Sequence, residues 1–177
     1  WASVSGGVLL AGNASFEMED GVIENCTGYT GGAVVLNPSG AMGGDNTGNC
    51  RFRMSGGEIR NCSSRIQGGG AFLAVENAEI GDGTVFTGNT ARNSGGGLCL
   101  MSRKGIRFGK AEFRDNQSGY GGGIALYGGQ NDLSAAVVCG NTASVAGDDL
   151  CAIENSFGVT SLVLPAGFGG NRLKDCG

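Results

Sequence analysis

Clusters of glycine recur along this chain at a nearly constant interval. The first glycines of six successive clusters are separated by 25, 37, 27, 26 and 26 residues. Four of these five intervals agree within two residues, and the long one contains an insertion at residues 37–48. Such a period predicts a repeat protein, in which each unit buries its apolar face only by stacking on its neighbours. The clusters begin at Gly6, Gly31, Gly68, Gly95, Gly121 and Gly147.

A second landmark precedes the glycine clusters. It is an apolar residue followed three places later by Cys or Asn, as in Ile59 to Cys62 and Phe113 to Asn116. Short apolar alternations such as 98–100 follow the clusters, so each unit contains strands of three to six residues between Gly and Asn turns. Stacking such units at the ~4.8 Å strand spacing predicts a parallel β-helix, in which equivalent Asn side chains form a ladder.

Composition excludes several other classes. The chain has 37 Gly but only 2 Pro and no Gly-X-Y period, which argues against both a helical bundle and collagen. Net charge is −4 with scattered Lys and Arg, so we expect no nucleic-acid partner. The absence of His removes His-based catalysis and His-ligated zinc. No apolar run is long enough to span a membrane, and we predict neither a metal site nor a cofactor.

Residues 52–62, 86–98 and 141–150 resemble the right-handed β-helix repeats of adhesin-like surface proteins from Gram-positive gut bacteria. The FxxN and GGA[ILV] motifs of chlamydial polymorphic outer-membrane proteins are similar to 86–89 and 113–116, and to 31–34, respectively. The resemblance implies an all-β fold, a single right-handed parallel β-helix of about six rungs over residues 1–177. It also implies an extracellular, bacterial cell-surface location. Because the chain starts at Trp1, we expect a segment of a larger surface protein.

Stacking the units turns the sequence into columns of equivalent residues. Two columns are predicted to form the core. One contains Ile23, Ile59, Phe86, Phe113 and Val138; the other contains Val34, Ala71, Leu98, Ile124 and Leu150, with Leu36, Leu73, Leu100 and Leu126 two residues further on. Glu24 and Arg60 should be oppositely charged outward neighbours.

A third column is apolar but is predicted to point outward, towards water. An exposed apolar stripe of this kind marks a partner surface, unless the insertion or a neighbouring domain covers it. The insertion itself is a second candidate binding element, because loops on a rigid solenoid vary freely. The stripe contains Val35, Phe72, Cys99, Ala125 and Cys151, and the insertion offers Asn37, Met42, Asp45 and Asn46.

Seven cysteines are an odd number, so at least one has no partner within the chain. Cys26 and Cys62 share a column and form either a disulfide or a pair of stacked buried thiols. Cys151 and Cys176 are 25 residues apart, about one unit, and form a second candidate pair.

Asp148 and Asp149 are the one catalytic candidate. Adjacent carboxylates on a β-helix resemble those of pectin-degrading glycosidases, but they also fall at a terminal turn, where polar residues are expected for structural reasons. The sequence therefore favours a non-catalytic adhesin or ligand-binding segment, which presents a rigid face and one inserted loop to a host or environmental protein or glycan, or to neighbouring domains. The alternatives are a polysaccharide lyase or glycosidase, and a structural spacer.

Overall fold

The computed structural model describes residues 6–36, 50–154 and 160–166, and in this part of the chain the regular structure is entirely β. The strands are β1 (Val8–Leu10), β2 (Ser15–Met18), β3 (Val22–Glu24), β4 (Thr27–Gly28), β5 (Val34–Leu36), β6 (Arg51–Met54), β7 (Glu58–Arg60), β8 (Ser63–Ser64), β9 (Ala71–Ala74), β10 (Asn77–Ile80), β11 (Val85–Thr87), β12 (Thr90–Ala91), β13 (Leu98–Met101), β14 (Glu112–Arg114), β15 (Gln117–Tyr120), β16 (Ile124–Tyr127), β17 (Gly129–Asp132), β18 (Val137–Cys139), β19 (Thr142–Ala146), β20 (Leu150–Ile153) and β21 (Thr160–Val163).

All strand pairs are parallel, and most join strands one repeat apart. Sheet 1 has the order β1-β5-β9-β13-β16-β20, sheet 2 is β2-β6-β10, sheet 3 is β3-β7-β11-β14-β18, sheet 4 is β4-β8-β12-β15-β19, and β17 pairs with β21. The chain is therefore a parallel β-solenoid, as predicted, with about five turns instead of about six. The difference arises because only sheet 1 extends to a sixth strand.

The register of the strands confirms both predicted core columns. Sheet 3 aligns its column from Ile23 to Val138 and sheet 1 aligns its column from Val34 to Leu150. The rings of Phe86 and Phe113 stack with centroids 4.9 Å apart, and both side chains are fully buried. Apolar area removed from water along these columns is the main stabilising contribution to the fold.

The corner between sheets 3 and 4 repeats one backbone conformation in every turn. The residue at this corner has a φ between 53° and 66°, in the left-handed region that only Gly, Asn and Asp adopt readily. This requirement explains the residue types at the corner, which are Asn25, Asn61, Gly88, Asp115 and Gly140.

The next residue in each turn belongs to the predicted ladder. Asn89 donates from Nδ2 to Oδ1 of Asn116 at 3.0 Å, and Asn116 donates in the same way to Asn141 at 2.9 Å. Each of these oxygens also accepts the backbone N–H of the preceding rung, while Nδ2 of Asn116 donates to the carbonyl of Phe86. All three side chains are buried. Their polar atoms therefore need hydrogen-bond partners inside the protein, and the neighbouring Asn side chains and the backbone provide them.

Cysteines occupy the same column in the first two turns. The backbone N–H of Cys26 donates to Sγ of Cys62 at 3.4 Å, and the thiol of Cys62 lies 3.2 Å from the carbonyl oxygen of Arg60. Both cysteines are free, so the stacked-thiol alternative holds and the proposed disulfide is wrong. The sulfur of Cys62 takes the acceptor role of an Asn oxygen, and burial raises the pKa of this thiol to about 11.

The second candidate disulfide is also not formed, because Cys151 is free. Cys151 lies on β20, beside Ala125, and the predicted partner Cys176 lies outside the described residues. Cys50 and Cys99 are free and buried, whereas Cys139 at the end of β18 is disulfide-bonded.

Candidate ligand-binding face

The outward apolar stripe of sheet 1 does not face water. The first four side chains of the stripe, from Val35 to Ala125, are at most 7% exposed, and the last one, Cys151, is half-buried. The chain between sheets 4 and 1 passes over the stripe, where Ser94 accepts a hydrogen bond from the Tyr127 hydroxyl at 3.0 Å. The alternation of inward and outward residues was predicted correctly. The predicted exposure of the stripe to water was wrong, because its side chains form a second small core. Its buried members are Val35, Phe72, Cys99 and Ala125, and Ala74, Met101 and Tyr127 pack against this core.

The two candidate catalytic acids are used by the fold. Oδ1 of Asp149 accepts hydrogen bonds from Nδ2 and the backbone N–H of Asn141, at 2.8 and 3.3 Å, and so ends the amide ladder. Oδ1 of Asp148 accepts the backbone N–H of Ala143 at 2.8 Å. Burial raises the pKa of Asp149, and its bonds from Asn141 oppose that rise. The arrangement matches the terminal-turn alternative.

The candidate binding residues of the insertion, Asn37, Met42, Asp45 and Asn46, lie outside the described residues. Their role stays a prediction.

Sheet 4 carries a column of polar side chains on its outer surface. Each member follows a ladder residue. From the second turn onward, its backbone N–H donates to the carbonyl of the ladder residue one turn earlier, for example from Thr90 to Cys62 at 2.9 Å. The ladder therefore fixes the position of this column. The hydroxyl oxygens of Thr27 and Ser63 lie 3.1 Å apart. In register along the sheet, the column contains Thr27, Ser63, Thr90, Gln117 and Thr142.

A second outward column runs beside the first. Its members lie two residues after those of the first column, in the bend that directly follows the short strands β4, β8 and β12. The backbone N–H groups of Arg65 and Arg92 still donate to the preceding turn, so the column remains stacked. Its members are Tyr29, Arg65 and Arg92, which are all exposed. In the next turn the register shifts at a β-bulge between Ser118 and Tyr120, so Tyr120 pairs with Ser94, two residues past Arg92, and is 41% exposed. We call these two columns, with Tyr120, the polar face.

Several arginines on the other outer surfaces of the solenoid form ion pairs. Arg60 binds Glu24 at 2.7 Å between Nε and Oε2, which confirms the predicted lateral pair. Arg53 in sheet 2 binds both Glu17 and Glu79. Arg51, Arg107 and Arg114 also form ion pairs. Within residues 6–36, 50–154 and 160–166, Arg65 and Arg92 form none.

The polar face was not predicted, although its signal is present in the sequence. Directly after the Cys or Asn landmark, the aligned units read Thr-Gly-Tyr, Ser-Ser-Arg, Thr-Ala-Arg and Gln-Ser-Gly-Tyr. The first and third positions of the three triplets are the two columns, and in the four-residue unit the Tyr is displaced to the fourth position by the bulge. The outward apolar stripe drew attention instead because exposed apolar residues are the more familiar mark of an interface.

The other outer surfaces have fewer features that indicate a ligand site. In the described part of the chain, one shallow groove lies beside Arg51 and Glu79 and another beside Arg107 and Asp132, and in each groove these two residues form an ion pair. The described residues contain no group of three or more Cys, Asp or Glu side chains that could hold a metal ion. In the same part of the chain, no helix has the length and apolar character to cross a membrane.

No protein-family model, curated protein or solved structure matches this chain. The fold assignment therefore rests on strand register, and the function has to be argued from the polar face itself.

Proposed function

We propose that this chain is a non-catalytic binding segment of a bacterial cell-surface protein, and that the polar face is its ligand-binding surface. The observation that carries the proposal is the pair of in-register columns on sheet 4. They combine hydroxyl and amide groups with two exposed Tyr rings and with Arg65 and Arg92, which form no ion pair within the described residues. Hydrogen-bonding groups beside aromatic rings are the usual means of holding a polar ligand.

The rigidity of the face supports this role. Its first column is hydrogen-bonded through the backbone to the buried ladder, and the bulge before Tyr120 is part of a paired strand. Side chains held by a rigid scaffold lose little conformational freedom when a ligand binds, which favours affinity.

The state of the acids also favours binding over hydrolysis. A glycosidase needs one carboxyl group free to donate a proton and another free to act as base or nucleophile. Asp149 instead satisfies the last Asn of the ladder and Asp148 holds a backbone N–H.

The extracellular, bacterial location is part of the same proposal. It rests on the resemblance of the repeats to adhesin-like surface proteins, and the disulfide-bonded Cys139 is typical of an oxidising compartment. The partner would be a host or environmental protein or glycan.

The proposal predicts that the purified chain is retained by at least one member of a defined panel of mucins, serum proteins and acidic and neutral polysaccharides. Tyr29→Ala combined with Thr90→Ala should weaken this retention by roughly tenfold, because it removes one exposed ring and one hydroxyl from the face. The matched control is Asn77→Ala combined with Val137→Ala, which changes exposed residues of sheets 2 and 3. Circular dichroism checks that both variants fold.

Two results would contradict the proposal. Retention by no component would leave the structural-spacer alternative. Retention that the face variant keeps but deletion of residues 37–48 abolishes would place the site on the insertion.

A further inference from the structure

Arg65 and Arg92 occupy equivalent positions in adjacent turns. Ser64 and Ala91 are in register, so the two arginines that follow them are neighbours across the sheet, one strand spacing or about 4.8 Å apart along the backbone. The backbone N–H of Arg65 donates to Gly28 at 3.1 Å and that of Arg92 to Ser64 at 3.3 Å, which holds both residues in the stack. Like charges placed directly opposite each other on neighbouring strands destabilise a sheet.

This repulsion is not compensated in the described part of the chain, although the fold compensates comparable charges elsewhere. In sheet 2, Arg53 is in register with Glu17 and Glu79 and pairs with both. In sheet 3, Arg60 is in register with Glu24. The position before Arg65 in its column is Tyr29, which brings no negative charge. Within the residues that the structure describes, these two adjacent, exposed guanidinium groups therefore lack the acidic neighbour that Arg53 and Arg60 have.

We propose that Arg65 and Arg92 bind the acidic groups of an anionic polysaccharide that lies along the polar face. This inference rests on the proposed function and names its ligand class. A guanidinium group binds carboxylate and sulfate through two parallel hydrogen bonds, so the pair can hold acidic groups of either kind. The hydroxyl column provides donors and acceptors for sugar hydroxyls, and the exposed rings of Tyr29 and Tyr120 provide surfaces for sugar rings.

The repeat of the face favours a polysaccharide over other acidic partners. The same kinds of group recur at each turn along one line, which suits a linear polymer of similar units. The buried centre of a protein–protein interface is usually apolar. The apolar stripe of sheet 1 is covered, so it is not available to form such a centre. A nucleic acid carries a phosphate every few ångströms and needs a strongly basic surface, whereas this chain has a net charge of −4.

Calorimetric titration with four polysaccharides tests the inference. Polygalacturonate is compared with its fully methyl-esterified form, and dextran sulfate with dextran, so that each acidic polymer has a neutral counterpart of the same backbone. We expect the chain to bind at least one acidic polymer and to bind its neutral counterpart at least tenfold more weakly. Arg65→Gln and Arg92→Gln should each weaken binding to the acidic form by roughly tenfold, and higher salt should weaken it in the wild type.

Arg51→Gln is the matched control, because it removes the same charge from an exposed Arg of sheet 2 and should leave affinity unchanged. The two polymer pairs show whether carboxylate or sulfate is preferred. Equal binding of acidic and neutral forms, unaffected by the Arg variants, overturns the inference and leaves the proposed binding function standing. Binding of single-stranded DNA as tight as that of the acidic polymer overturns the assignment to polysaccharides. Binding of none of the four overturns the inference as well, and the protein components of the panel then decide the proposed function separately.

Discussion

Asn116→Ala is expected to lower the free energy of unfolding by roughly 3–5 kcal/mol. The side chain is fully buried at the centre of the ladder. Its removal leaves the backbone N–H and one Nδ2 hydrogen of Asn89 without an acceptor, and the carbonyl of Phe86 without the Nδ2 donor of Asn116. Nδ2 of Asn89 keeps its bond to the carbonyl of Ile59. Each buried group left unsatisfied costs about 1–3 kcal/mol, and native domains have only about 5–15 kcal/mol of stability. Urea denaturation followed by circular dichroism measures the change.

Asn93→Ala is the control for this variant. Asn93 lies one corner further on, is exposed, and keeps its backbone bonds to Ile66 and Tyr120 after substitution. We expect Asn93→Ala to change the free energy of unfolding by no more than about 0.5 kcal/mol. A loss below about 1 kcal/mol for Asn116→Ala would mean that the ladder contributes little, and that apolar stacking alone holds the turns in register.

Gly96→Ala is expected to abolish the cooperative unfolding transition or to destabilise the chain by more than about 4 kcal/mol. A Cβ at this position would meet the carbonyl oxygen of Gly122 and would lie 2.6 Å from both the backbone nitrogen and the backbone oxygen of Gln117. These atoms belong to neighbouring stacked turns, so they cannot move aside without opening the sheet. Thermal unfolding followed by circular dichroism provides the measurement.

Gly12→Ala distinguishes this crowding from the general cost of replacing a glycine. Gly12 has a φ of 70°, but a Cβ there would meet no atom within 4 Å. Only the strain of a left-handed backbone conformation remains, and we expect the free energy of unfolding to fall by about 1 kcal/mol. Similar losses at both positions would contradict the close approach of turns at the Gly96 corner.

Much of the fold could be predicted because a solenoid repeats one local rule. Apolar residues at the period of the glycine clusters identified both core columns, and the Cys or Asn landmark identified the ladder. The environment of an outward column could not be predicted in the same way. Whether Phe72 and Cys99 face water depends on where the preceding corner passes, and the contact of Ser94 with Tyr127 is invisible to periodicity.

The candidate site was harder to predict because its residues are individually ordinary. Thr, Ser and Arg on a strand are typical of any exposed surface. The polar face becomes distinct only when Arg65 and Arg92 are seen side by side without acidic neighbours, while Arg53 and Arg60 have theirs. That comparison needs the register of the strands. The disulfide alternative for Cys26 and Cys62 failed for a related reason. A shared column indicates proximity, but the sulfur of Cys62 accepts a hydrogen bond from the backbone N–H of Cys26.

The central claim is that ligand binds on the outer surface of sheet 4. Backbone amide chemical shifts test it most directly when they are recorded during titration with oligosaccharides of whichever acidic polymer binds in the calorimetric titration. The largest shifts are expected on 27–29, 63–65, 90–92 and 117–120, and Arg65→Gln should suppress them. Shifts concentrated in residues 37–48 or on sheet 2, or no shifts at a concentration of ligand well above that of the protein, would contradict it.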